Sequence, residues 1–386
     1  MSKPLPLISI CTTENHRNSR FRDEADYDER FSCEYIDYQE LVGCDASLMG
    51  ARFSGRIVRI DSPEHSLNLE KKLLKLALLD RSEAYGEIGL KAIERLDLNK
   101  GELRYPTQYF IGYKKLLESI RTIKASCKAK AWLTCPEEIA EIFDKAALYR
   151  KYDQLKIPQP ETRTKVERFE EVYDFVRSHQ SSGVYLKHRF GSTGSGMLCL
   201  RLVQDKLYCW STFAANRGKW THLLNPAISR NVADIKKLSD YVIGEGAILQ
   251  AAIKKAQIGG VPFDCRFIVI NNKVPFVVVR KNRSPFTNLN LGGQRDTMKA
   301  LQSVIPCWLI QEAIECCIEI ARYHKQFMIG VDIIFDRRKE NFYVLESNAF
   351  GGFFPNLSRC GRSVLKWELD AIHDCFAGQS KLEDAL

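Results

Sequence analysis

The sequence predicts an α/β protein, α+β in its later half, organised as three successive regions. Three observations carry that prediction. Short β-branched runs lead into capped helical patterns near the N-terminus, and two strand-like runs flank a glycine-rich loop in the middle. Strand patterns then alternate with an amphipathic helix towards the C-terminus. With 386 residues, 45% hydrophobic and 27% charged, the chain is too apolar for disorder and long enough for two to three domains.

The first region, 1–138, opens on an apolar run from Leu7 to Thr12, a strand that runs into a polar loop from Glu14 to Arg20. A second run, Arg56 to Ile60, leads into Asp61-Ser62-Pro63. Ser62 reads as an N-cap and Pro63 as the first helical residue, with Leu69, Leu73 and Leu74 continuing an apolar face. A helix over Glu137 to Leu155 opens the second region, 139–253, and stops at Ile157-Pro158-Gln159-Pro160. Phe169, Val172, Tyr173 and Val176 mark another helix. Val184 to Phe190 and Met197 to Val203 read as a hairpin around Gly191 to Gly196, and the aperiodic stretch Asn216 to Asp240 as a mobile connection. Ala247 to Ile253 is strand-like. In the third region, 254–386, strands at Cys265 to Ile270 and Val274 to Arg280 flank an Asn271-Asn272 turn. Ile310, Ala313, Cys317 and Ala321 fall on one helix stripe, and Val331 to Asp336 pairs with Phe342 to Glu346.

Fifty-seven Lys and Arg against 48 Asp and Glu give a net charge of +9, scattered along the chain. That surplus suits anionic partners such as nucleotides or acidic peptides. No aromatic-basic stripe favours nucleic acid. The 13 cysteines include no Cys-x-x-Cys spacing and read as reduced thiols of a cytoplasmic protein. No run reaches the ~18 apolar residues of a membrane span, and Leu5 to Cys11 is too short for a signal-peptide core.

The final hairpin is the sharpest chemical signal. Strand parity puts Glu346 and Asn348 on one face, and a turn centred on Lys339 sets Asp332 opposite Glu346. Cross-strand neighbours lie ~4.5–5.5 Å apart at Cβ, so two such carboxylates need a cation between them. An all-oxygen set of Asp, Glu and Asn suits Mg²⁺. A solvated strand face, or pairing with Arg337 or Arg338, is the alternative. Gly191, Gly194 and Gly196 allow close backbone approach, and with Ser192, Thr193 and Ser195 they can cradle phosphate oxygens. Lys187 lies on an otherwise apolar strand and calls for an anion, whereas His188 reads as a core histidine. Arg266 and Arg280 offer forks for phosphate or carboxylate, with an Arg266–Asp264 ion pair as the alternative. Asn288 and Asn290 lie in a polar loop that turn chemistry also explains.

The order of these features resembles the ATP-grasp superfamily, most closely its glutathione-synthetase-like and ribosomal-protein glutamate-ligase-like members. The resemblance covers about residues 135–360 and rests on eight pieces in sequence. They are Asp144-Lys145 before Ile157-Pro-Gln-Pro160, Tyr185-Leu-Lys187, Gly191 to Gly196, Phe263-Asp-Cys-Arg266, Val279-Arg280, Asn290-Leu-Gly-Gly293, Gly330-Val-Asp332 and Leu345-Glu-Ser-Asn348. Arg59 to Pro63 and Ser284 to Leu291 also resemble an uncharacterised bacterial ATP-grasp subfamily.

The resemblance implies an N-terminal α/β domain followed by two α+β subdomains that clamp ATP. It implies that Lys145 and Lys187 bind ATP phosphates beneath the Gly191–Gly196 loop, and that Gln250, Ala251 and Ile253 form the adenine hinge, largely through backbone groups. Arg266, Arg280 and Asn290 would stabilise the transferring phosphate or acyl group, and Asp332, Glu346 and Asn348 would hold Mg²⁺. The implied activity is ATP-dependent ligation of a small-molecule or peptide carboxylate to an amine or thiol through an acyl phosphate. A homodimer is common in the superfamily. An ATP-grasp kinase and a non-catalytic nucleotide-binding module are the alternatives. Ala251 and Ala252 stand where many members place an acidic ribose ligand. Phe350, Phe353 and Phe354 make the turn after the metal motif bulky, lining either an acceptor pocket or the core. Asn15, Arg17 and Asp61 are the expected substrate contacts from the first region, with turn and capping roles as the alternative.

Overall fold

The near-continuous apolar runs of the first region form a parallel sheet, as strands buried on both faces require. The computed structural model describes residues 3–12, 16–63, 66–80, 87–97, 101–191, 194–216, 218–352 and 354–377. The chain runs through β1 (Leu5–Cys11), α1 (His16–Asp26), β2 (Phe31–Asp37), α2 (Tyr38–Leu41), α3 (Ala46–Phe53), β3 (Ile57–Ile60), α4 (Leu67–Ala77), α5 (Leu90–Glu94), α6 (Pro106–Ser126) and β4 (Ala131–Trp132). The sheet order is β2-β1-β3-β4. α4 and α6 pack together over it through Leu69, Leu73, Tyr113 and Leu116. They approach so closely that a Cβ on Gly112 would lie 1.9 Å from the Leu73 carbonyl oxygen.

Two expectations for this region are corrected. The described part of the Glu14–Arg20 stretch is helical from His16, because Phe21 and Ala25, one turn apart and both buried, lie beyond the polar window. The helix after β3 starts at Leu67, with Ser66 as its cap, and Ser62 and Pro63 precede it outside any helix or strand. The Ser62 amide is instead taken by the Asp61 carboxylate at 2.7 Å.

The helix expected over Glu137 to Leu155 is two, α7 (Pro136–Phe143) and α8 (Lys145–Gln154). Asp144 breaks it by leaving helical geometry and capping the Ala146 and Ala147 amides. Next come β5 (Thr162–Arg163), α9 (Phe169–Ser178), β6 (Val184–His188), β7 (Met197–Val203), β8 (Lys206–Asn216), β9 (Lys219–Ser229), α10 (Val232–Gly244) and β10 (Ala247–Ala251). Their antiparallel sheet has the order β5-β10-β6-β7-β8-β9. The connection expected over Asn216 to Asp240 is therefore mostly β9 and α10. An edge strand exposed along much of its length shows no clean alternation, which hid β9.

The last region contains β11 (Gln257–Ile258), β12 (Val261–Ile270), β13 (Lys273–Lys281), β14 (Gln294–Asp296), α11 (Met298–Gln302), α12 (Cys307–Tyr323), β15 (Met328–Phe335), β16 (Phe342–Asn348), β17 (Ser358–Arg359), β18 (Arg362–Ser363) and α13 (Val364–Phe376). Its main sheet runs β14-β13-β12-β15-β16, and Asn271 and Asn272 turn the β12–β13 hairpin with positive φ. α13 returns to the first sheet, where Leu365, Leu369 and Ile372 pack with Leu5, Leu7 and Phe21. Glu368 meets Arg59 there in a buried ion pair at 2.8 Å. The 13 cysteines are free thiols. Among the described residues, no helix is long and apolar enough to cross a membrane.

Candidate functional site

The second and third sheets face each other across a cleft whose wall includes Lys145, Lys187, Asp264, Arg280, Asp332 and Glu346. Lys187 projects into it from β6 and is almost fully buried. Its Nζ donates to Gln250 Oε1 at 2.7 Å, and Gln250 Nε2 donates to Thr162 Oγ1 at 3.1 Å. Burial pushes Lys187 down to about 8; Glu346 counteracts this, while Lys145 and Lys255 add to it. A buried ammonium bonded, among the described residues, to a neutral amide alone has spare capacity for an anion. His188, next along the strand, faces the other way. It packs edge-on against Tyr241, and burial pushes it down to about 3, so it is the core histidine the pattern indicates. A Cβ on Gly196, at φ +64, would lie 2.7 Å from the His188 ring.

Gly191, Gly194 and Ser195 line the cleft, whereas Ser192 and Thr193 lie outside the described residues. Lys145 Nζ donates to the Gly191 carbonyl and lies 3.7 Å from Glu346 Oε2. Asp144, which caps α8, also grips Arg189 through two 2.6 Å contacts and so fixes the start of α8 to the end of β6. Gln250, Ala251 and Ile253 line the same cleft. The Ala251 amide already donates to the Glu161 carbonyl at 2.9 Å, so that expected hinge donor is committed within the protein.

The β15–β16 pairing sets Asp332 opposite Glu346 and Gly330 opposite Asn348. From Ile333–Val344 onward the register shifts by one, leaving Leu345 as an extra residue. Tyr149 donates to the carbonyl of that bulge at 2.6 Å. Asp332 sits in a buried network. Arg266 donates Nε and Nη2 to its two oxygens at 2.5 and 2.9 Å, and Arg280 Nη2 lies 3.0 Å from Oδ1. Arg280 Nε also bonds Asp264 at 2.7 Å, and the Thr287 hydroxyl donates to the other Asp264 oxygen at 2.5 Å. Arg266 therefore pairs with Asp332, across from it on β15, and not with Asp264. Burial alone would raise Asp332, but the two guanidiniums hold it at about 2.

The donor set fits a hard divalent cation. Asp332 Oδ2 accepts one hydrogen bond and keeps further acceptor capacity, and Glu346 is partly exposed. The Asn348 Nδ2 is buried without a partner among the described residues, which leaves that amide free to turn its oxygen to an ion.

A second, open cavity of about 530 Å³ adjoins the first, and Lys145, Gly191, Arg280, Asn288 and Glu346 line both. Phe143, Phe350 and Phe354 give it apolar walls, while Phe353 lies outside the described residues. Asn290 reaches its mouth from a 3₁₀ turn, Leu289–Leu291, held by Asn288 bonding the Asn290 amide at 3.0 Å. Arg17 lines it too, but its guanidinium is engaged by Asp61 at 2.6 Å and by the Phe350 carbonyl at 2.5 Å.

The substrate-contact expectation for Asp61 is corrected. Asp61 is fully buried beneath the cavity between Arg17 and Arg59, which hold it at about 2 against the effect of burial. Asn15 lies outside the described residues. Sequence reasoning missed two cations. Lys255 Nζ bonds Thr287 Oγ1 at 2.9 Å in the first cavity. Arg295, paired with Arg280 across β13–β14, lines the second with its guanidinium 5.3 Å from the Phe354 ring centroid. Arg295 lies on a three-residue strand too short to show periodicity.

A lysine-lined cleft between two antiparallel sheets, with an Asp/Glu/Asn set on the last hairpin, is the architecture of an ATP-grasp protein. The YheC/D-like ATP-grasp family matches residues 140–357, more than half the chain, and the protein belongs to that family. No curated protein sequence matches significantly. Among solved structures, the chain is similar to the ATP-grasp ligase PsnB complexed with a minimal precursor. The identity is 13% and the TM-score 0.54, covering 96% of this chain and 99% of that one. It is also similar to the macrocyclase MdnC bound with precursor peptide MdnA from Microcystis aeruginosa MRC, at 13% identity and TM-score 0.54, covering 97% and 100%. The ADP complex of N5-carboxyaminoimidazole ribonucleotide synthetase is similar at 14% identity and TM-score 0.53, covering 96% and 78%. At these identities the likeness is one of fold.

Proposed function

We propose that the protein is an ATP- and Mg²⁺-dependent ligase that activates a carboxylate as an acyl phosphate and joins it to an amine or thiol. The contiguity of the two cavities carries this reading. ATP in the first, with its phosphates towards Lys145, Lys187 and the Gly191–Gly196 loop, meets a carboxylate in the second at their shared wall. Residues 139–253 then act as the lid and 254–386 as the catalytic base.

The carboxylate oxygen bonds to the γ-phosphorus as the bond to ADP breaks. An amine next attacks the acyl carbon, and phosphate leaves. Lys145 and Lys187 bind phosphate oxygens. Arg280, held by Asp264 and Asp332, offers its guanidinium to the transferring group, and Arg266 orients Asp332. Asp332, Glu346 and Asn348 would hold Mg²⁺, which would supply charge neutralisation at the phosphates. Catalysis of this kind rests on positioning and charge neutralisation, and one preorganised donor is worth ~2.7–4 kcal/mol.

The open second cavity and Arg295, which makes no ion pair among the described residues, suit an acidic peptide as well as a small acid. Two of the similar solved structures hold precursor peptides. The test is ADP release with ATP, Mg²⁺ and panels of acids and amines, with hydroxylamine added to trap the acyl phosphate as a hydroxamate. Acid-dependent ADP release with a hydroxamate is expected. A stable phosphorylated alcohol without hydroxamate would replace the ligase by a kinase, and no ADP release with any acid would overturn the reading.

A further inference from the structure

Away from the cleft, three donor atoms converge where α7 meets the end of α12. Glu138 and Glu141 lie one turn apart on α7, and His324 caps the C-terminus of α12. His324 Nδ1 is 3.0 Å from Glu138 Oε2 and 3.6 Å from Glu141 Oε2, and one ligand atom from each residue falls within a 4.8 Å span. The imidazole is fully buried and its Nε2 has no hydrogen-bond partner among the described residues, while both carboxylates are half-buried. Burial, with Glu138 beside it, holds the Glu141 carboxyl above its ordinary value, although His324 counteracts this. The neighbouring Lys151 lies 4.7 Å over the Tyr323 ring.

We propose that Glu138, Glu141 and His324 form a binding site for a transition-metal ion of the Zn²⁺ class, which fastens α7 to the end of α12. One imidazole nitrogen with two carboxylate oxygens is a donor set that Zn²⁺ accepts and that hard Mg²⁺ does not favour. Atoms bound at 2.0–2.2 Å to a tetrahedral ion lie about 3.3–3.6 Å apart. The 3.0 and 3.6 Å separations around Nδ1 straddle that spacing, so small side-chain rotations admit the ion. Water takes the fourth position on the side where the carboxylates reach solvent. The direct His324–Glu138 contact, with Glu141 at 3.6 Å, is the competing arrangement. α7 runs directly into Asp144 and Lys145, so the ion braces the segment that carries a cleft lysine; its role is structural.

The test uses the full chain, stripped with a chelator and titrated calorimetrically with Zn²⁺ in Mg²⁺-free buffer, with melting followed in parallel. One equivalent should bind and raise the melting temperature. Glu138→Gln and Glu141→Gln should each weaken binding about tenfold or more. Glu346→Gln, in the cleft, should leave it unchanged. These glutamates reach the surface, so the test stands even where His324→Gln fails to fold. Absence of saturable binding to the folded wild type would overturn the site. So would binding that survives both α7 variants, or that Glu346→Gln removes.

Discussion

Lys187 should take up a proton when nucleotide binds. Its ammonium donates to the neutral Gln250 amide, and burial, with Lys145 and Lys255 nearby, pushes it down to about 8 from an ordinary 10.5. Phosphate oxygens brought against it restore the charged form. Above pH 8 the affinity for nucleotide should therefore fall, approaching tenfold per pH unit. The interval between about 8 and 10.5 caps the effect at roughly 3 kcal/mol, a few-hundred-fold in Kd. At pH 8.5 about three-quarters of the Lys187 population is neutral, so binding should take up close to that fraction of a proton.

Calorimetry with a non-hydrolysable ATP analogue, in two buffers of different ionisation enthalpy, reads this directly. Lys187→Met should abolish the uptake. The linkage to stability has the opposite sense. The unfolded lysine keeps its proton up to about 10.5 and the folded one only to about 8, so the cost of burying the charge is present below 8 and is relieved as pH rises between the two values. A binding enthalpy independent of buffer at pH 8.5, or uptake that persists in Lys187→Met, would refute the reasoning.

Asp332→Asn should destabilise the fold by about 3 kcal/mol or more in denaturant titrations, because it leaves the Arg266 guanidinium buried against a neutral amide while Arg280 keeps Asp264. Gly196→Ala should cost more than about 1 kcal/mol, from its positive φ and its contact with the His188 ring, and should shift the melting midpoint accordingly. Arg295→Gln should raise KM for the carboxylate substrate without changing nucleotide affinity; equal loss of both would remove Arg295 from substrate recognition.

The final hairpin was readable because strand parity is strict and the turn is short. Its Asp332–Glu346 pairing held for a reason parity does not contain, since the Leu345 bulge shifts the register by one between the turn and that pair. The Asn271-Asn272 turn and the two runs flanking Gly191 to Gly196 were equally local signals. What escaped depended on tertiary partners. β9 is an exposed edge strand without alternation, and α13 finds its apolar partners in β1 and α1, far away in sequence. Asp61 looked like a loop residue at a strand end, and only the approach of Arg17 and Arg59 makes it a buried ion-pair centre. Arg295 carries no local pattern at all, and its place is set by the β13–β14 pairing.

The central claim is that Lys145, Lys187, Asp332, Glu346 and Asn348 form one metal-assisted nucleotide site. Titration of the non-hydrolysable ATP analogue with and without Mg²⁺, on wild type and Glu346→Gln, tests it most directly. The account predicts one site per chain in wild type, tightened by Mg²⁺, with that tightening lost in Glu346→Gln. Failure of folded wild type to bind the analogue, or binding indifferent to both Mg²⁺ and the substitution, would contradict it.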